Sequence, residues 1–212
     1  MAEGSTTRGW DPLVRLTHWG IAAAVILNGL ILEDGDQAHI VAGYVALSLL
    51  ALRLLWGFVG TEEARFSAFP PSPSGAMAHI RNIASGKVET HRSHNPLGAL
   101  MVYTLWAALA VVIATGLAME ADVFPDEGEE YAAVAPEAMP PARIILADWD
   151  EGEHDEGEGG EEAVEELHEV AANLVLILAL LHVGGVVFEM ARGDRGLIRR
   201  MTTGKDETEQ RA

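Results

Sequence analysis

Four stretches of this chain are long and apolar enough that a lipid bilayer is the simplest solvent for them. They run over residues 16–32, 40–59, 97–119 and 170–190. A helix rises about 1.5 Å per residue, so roughly 20 apolar residues cross a hydrocarbon core about 30 Å thick. The first stretch is short, but Trp10 before it and Trp19 at its start suit the headgroup level. A soluble bundle would need amphipathic partners to cover four such helices, and the remaining sequence offers none. Composition agrees once it is read by position. Hydrophobic residues make up 49% of the chain although its formal charge is -18. The two properties are segregated, with most of the acid in one block over residues 120–169.

Lys and Arg give the orientation. Arg8 and Arg15 precede the first span. Arg53, Arg65, Arg81, Lys87 and Arg92 lie at or between the second and third, and Arg192, Arg195, Arg199, Arg200, Lys205 and Arg211 follow the fourth. Thirteen of the 14 basic residues therefore fall on one side, leaving Arg143 on the other. The positive-inside rule puts both termini and the stretch 60–96 in the cytoplasm, with the acidic loop outside. Residues 1–12 lack the features of a cleaved signal peptide, so the first span is expected to remain as an anchor.

The expected fold is thus all-α: an integral membrane four-helix bundle over residues 1–200, with a long acidic extracytoplasmic loop at 120–169 between helices 3 and 4. A cytoplasmic tail follows at 201–212. The loop interleaves Asp and Glu with Gly and is expected to be largely disordered. Residues 142–146 are expected to form a short interfacial helix. A chain this acidic offers nucleic acid no footprint. With no Cys it has no disulfide, no thiolate metal site and no covalent haem attachment.

Four of the eight His, namely His18, His39, His168 and His182, lie at the ends of or inside the apolar stretches. An ionisable side chain at membrane depth is costly unless paired or ligating, which makes each a functional candidate. Spans that alternate in direction put His18 and His182 near the inner face and His39 and His168 near the outer one. His168 and His182 are 14 residues apart, close to four helical turns, so they share one face about 21 Å apart in depth. Two neutral imidazoles from facing helices suit a six-coordinate haem iron that transfers electrons, and bundle cores are where such sites are built. The pairs His18/His182 and His39/His168 are therefore predicted to hold two non-covalent b-type haems.

Arg53 follows His39 by 14 residues, on the same face at inner-haem depth, where it suits either a haem propionate or a snorkelling role. His94 precedes the third span as a rival to His18 or an interfacial cap. His79 and His91 read as cytoplasmic-loop residues, and His154 as part of a solvated charge run.

Several strings resemble the bacterial and hydrogenase-type cytochrome b561 family of four-helix di-haem membrane cytochromes. They are the stretch from Trp10-Asp11-Pro12 to His18-Trp19, that from His39-Ile40-Val41 to Val59-Gly60, His94-Asn95-Pro96-Leu97-Gly98, and His168-Glu169 through Leu181-His182. The ending from Gly193-Asp194-Arg195 to Thr203-Gly204-Lys205 is similar to the family's cytoplasmic tail. The resemblance implies that His18, His39, His168 and His182 are axial ligands and that electrons pass between a quinone pool and another redox partner. The long acidic loop departs from the compact family pattern. It suits a basic outer partner such as a c-type cytochrome, which it would steer electrostatically. Two alternatives accompany this expectation: superoxide:quinone oxidoreduction at the outer face, and a haem-free membrane anchor or assembly subunit.

Overall fold

A computed structural model describes residues 11–86, 95–121, 156–192 and 197–203. Every regular element among them is helical. Helix α1 spans Pro12–Leu30, α2 Gln37–Val59, α3 Pro73–Ala84, α4 Pro96–Glu120, α5 Glu156–Arg192 and α6 Leu197–Thr203, with short 3-10 turns at Glu62–Ala64 and Phe66–Ala68. Four of them, α1, α2, α4 and α5, are long and apolar enough to cross a membrane.

Three helices begin with one device, a capping side chain followed by proline. The Asp11 carboxylate accepts from the amides of Leu13 at 2.8 Å and Val14 at 3.4 Å, with Pro12 at the first helical position. Ser72 accepts from Gly75 N at 3.1 Å ahead of Pro73, and Asn95 from Gly98 N at 2.7 Å ahead of Pro96. Each cap satisfies an amide that the first turn leaves open, and proline loses nothing there because that N–H has no helical partner. This is why α1 starts at Pro12, four residues before its apolar stretch.

The bundle is built from two close pairs. α1 lies along α2 and α4 along α5; α3 packs against α4, and α2 touches α4. Contact between α1 and α5 is sparser. At Gly29 an added Cβ would lie 2.8 Å from Leu176 Cδ2, so glycine lets the two helices come this near there. Small side chains dominate the buried interior, including Ala24, Ala46, Ala99, Ala108 and Ala171, while Leu30, Phe58, Val59 and Leu180 are each more than 70% exposed. An outward apolar surface of this kind is what lipid, not water, tolerates.

One expectation needs correction. Residues 156–169 were assigned to the acidic loop, but α5 is continuous over 37 residues from Glu156. Glu is a good helix former, its charge is favourable near a helix N-terminus, and a long apolar span downstream supplies the nucleus that the Gly-rich start lacks. The rest of that loop, with residues 142–146 and His154, lies outside the described residues. The tail assigned to 201–212 is helical at its start, within α6.

Candidate functional site

The four intramembrane imidazoles meet in two pairs. His18 of α1 faces His182 of α5 with ring centroids 6.2 Å apart and planes inclined at 55°. His39 of α2 faces His168 of α5 at 6.3 Å and 56°. These are the pairs that depth alone predicts. No hydrogen bond joins the members of either pair, and α2 and α5 hardly touch around theirs. The rings therefore face across a gap and do not pack.

The width of that gap has a chemical meaning. An imidazole nitrogen stands about 2.0 Å from a first-row metal ion and about 1.1 Å from its own ring centre, so two imidazoles sharing one metal have centroids about 6.2 Å apart. Both pairs match that separation. Nδ1 of His39 has the Asp34 carboxylate 3.7 Å away, whereas Nδ1 of His18 is buried without a hydrogen-bond partner. Such orphaned groups are uncommon unless something other than the polypeptide satisfies the ring. Among the described residues no cluster of three or more His, Asp or Glu side chains forms a metal site. The donor set is two imidazoles per site, which suits a metal already held by four in-plane nitrogens.

His168 is the best supported of the four. Its Nδ1 lies 2.9 Å from Thr115 Oγ1 on α4. That hydroxyl also lies 2.9 Å from the carbonyl of Val111 and 3.0 Å from that of Val112, so it donates to the backbone and accepts from Nδ1–H. The His168 tautomer is thereby fixed, leaving the Nε2 lone pair for a ligand. Gly116, the next residue, lets the ring approach: an added Cβ would stand 3.2 Å from His168 Cε1. Neither Thr115 nor Gly116 carries a sequence signal for this role, because a Thr and a Gly in an apolar helix are ordinary packing residues. On the partner helix, Asn28 of α1 donates to the His39 carbonyl at 3.2 Å and ties the start of α2 in place.

Arg53 is 5% exposed. One guanidinium nitrogen, Nη2, donates to the Ala64 carbonyl at 3.2 Å, and the group stacks over Trp106 and Phe69 at 5.0 and 5.9 Å. The other, Nη1, is buried without a hydrogen-bond partner. This is a buried, anchored cation with one arm uncommitted. His79 departs from expectation: it lies on α3 and is 6% exposed, not on a solvated loop. His91 and His94 lie outside the described residues.

A membrane bundle with two facing imidazole pairs stacked along one helix is built like a membrane cytochrome b. The profile of the prokaryotic cytochrome b561 family matches residues 9–204, and the chain belongs to that family. No curated protein and no solved structure shows significant similarity to it. The family binds b-type haem and carries electrons across the membrane, so this is a bacterial multi-pass haem protein of electron transfer. That membership does not fit a haem-free anchor.

Proposed function

We propose that the chain holds two b-type haems, His18/His182 at the inner face and His39/His168 at the outer, and passes electrons between a quinone pool and an extracytoplasmic redox protein. The observation that supports this most directly is the pair of imidazole gaps, 6.2 and 6.3 Å, on one face of α5. A haem held by two of these imidazoles would supply reversible one-electron exchange, which favours transfer over oxygen chemistry.

The polypeptide's part is to hold, orient and insulate. α5 spaces the two sites by its own rise, about 21 Å for 14 residues. Thr115 keeps the His168 ring in one tautomer and one orientation. Arg53 offers Nη1 to a propionate, a charge-assisted contact strengthened by burial. The apolar walls exclude water, so little reorganisation opposes each transfer. The basic residues on one side support an inner-membrane orientation with both termini in the cytoplasm.

The acid near His168 supports a basic outer partner, such as a c-type cytochrome, over an anionic substrate such as superoxide, which it would repel. Pyridine haemochrome analysis of the purified protein tests the core of the proposal. Two haems per chain are expected, and one or none would refute it.

A further inference from the structure

Seven residues beyond His182, two turns along α5, stands Glu189. That spacing puts it close to the His182 face. Asn95, the cap of α4, donates Nδ2–H to Glu189 Oε1 at 3.2 Å, and Nε2 of His79 on α3 lies 3.6 Å from the same oxygen. Three separate elements thus bring a carboxylate, an imidazole and an amide to one point. The His79 side chain is 6% exposed and that of Glu189 28%. Met77 on α3 and Val187 and Phe188 on α5, close to them in sequence, are apolar and at least 47% exposed.

A tie between α3 and the bundle would not require these groups. Burying an acid–base pair costs desolvation that its mutual attraction barely offsets, and apolar side chains would hold α3 as well or better. A carboxylate and an imidazole at a span end, two turns from a predicted electron-transfer site and with exposed apolar side chains nearby in sequence, suit a substrate that gives up protons together with electrons.

We propose that Glu189 and His79, with Asn95 holding the carboxylate, form the proton-exchange site for a quinol headgroup entering from the membrane beside α3. This rests on the quinone reading above and specifies the site. Each quinol O–H bond breaks with its proton going to the Glu189 carboxylate and on to the His79 imidazole, and its electron delivered to the haem at His18/His182. Two such events convert quinol to quinone and release two protons past α3. Quinone reduction runs the same path backward, with the pair supplying the protons. Arg192, which lies over Phe188 at 5.6 Å, is the nearest further charge on α5, and Arg81 is an exposed one on α3.

The test uses the haem-loaded full chain as wild type, Glu189→Gln, Glu189→Asp and His79→Gln, with decylubiquinol and menadiol as probes. Haem content and dithionite reduction are expected to match wild type in all three variants. Quinol-driven haem reduction is expected to fall about 10²-fold in Glu189→Gln, the usual size of a lost proton acceptor, and to recover largely in Glu189→Asp. A readout independent of turnover is infrared difference spectroscopy on adding oxidised decylubiquinone. A carboxyl band that shifts on binding is expected in wild type and absent from Glu189→Gln. Should Glu189→Gln lose haem, this band in wild type alone decides: a shift supports the site, and no shift overturns it. Quinol rates equal to wild type in a well-folded Glu189→Gln, with the band unchanged, would overturn the proposal and leave the cluster a structural tie. Failure of wild type itself to be reduced by either quinol would instead overturn the quinone reading, and this site with it.

Discussion

Thr115→Val is the sharpest test of how the outer site is organised. Valine matches threonine closely in shape, and Thr115 is 7% exposed within α4, so the substitution removes a hydroxyl while nearly preserving packing. What is lost is the acceptor 2.9 Å from His168 Nδ1. A hydrogen bond of this kind contributes about 1 kcal/mol net. Supporting bonds behind a metal ligand are typically worth 10- to 100-fold in affinity, about 1.4 to 2.8 kcal/mol.

The bond also makes the imidazole more electron-rich and so favours ferric iron. Losing about 1 kcal/mol of that preference raises a one-electron midpoint potential by ~40 mV. Redox titration of the visible spectrum should therefore show one of two haem components moving up by about this amount, with the other unmoved. Thr115→Ser should restore the wild-type value. Two unchanged components in Thr115→Val, with full haem content, would refute the claim that Thr115 sets the His168 tautomer. A shift in both would show that the two sites are not separable along α5.

Replacing His182 with Ala should remove one haem and leave the other spectrally intact, because His39 and His168 meet without it; haemochrome stoichiometry and low-temperature spectra read the outcome, and loss of both haems would contradict independent sites. Topology has a separate check: Gly157→Cys, at the start of α5, should react with an impermeant maleimide in intact cells. Labelling only after lysis would reverse the orientation and exchange the inner and outer haems.

The elements that hydropathy and spacing determine are the ones read correctly from sequence. The four apolar helices, and the facing of His18 with His182 and of His39 with His168, follow from a period of 3.6 and alternating helix direction. What could not be read depends on neighbours far away in the chain. Thr115 lies 53 residues from His168, and its role exists only because α4 packs along α5. His79 looks like a loop residue because the stretch between the second and third spans is polar and proline-rich. It becomes buried once Ser72 and Pro73 start a helix that packs on α4. The anchoring of Arg53 by the Ala64 carbonyl and Trp106 is invisible in sequence because it needs the chain after α2 to fold back over it. The α5 start was missed for the opposite reason: glycine and charge suggest a loop locally, and a helix already nucleated downstream overrides them.

That early start changes what the acid can do. At 37 residues α5 is about 55 Å long, well beyond the ~30 Å of a hydrocarbon core. On the proposed topology, its acidic end extends beyond the bilayer on the side of the His39/His168 pair. Glu161, Glu162, Glu165, Glu166 and Glu169 are all exposed on it, the last of them adjacent to His168. Charges on a helix keep their place relative to that site, whereas charges in a loose loop average over many positions, so the helical set should contribute most of the steering of a basic partner. Replacing these five with Gln should slow electron transfer to a basic c-type cytochrome at low salt and flatten its salt dependence. Exposed charges are screened beyond about 8 Å at physiological ionic strength, so the two proteins should converge as salt rises. Midpoint potentials provide the control, since a change in driving force would slow transfer without any steering. Stopped-flow haem reoxidation that gives equal rates for both proteins at low salt would reject steering, and the acid would then serve only to keep this end of α5 in water.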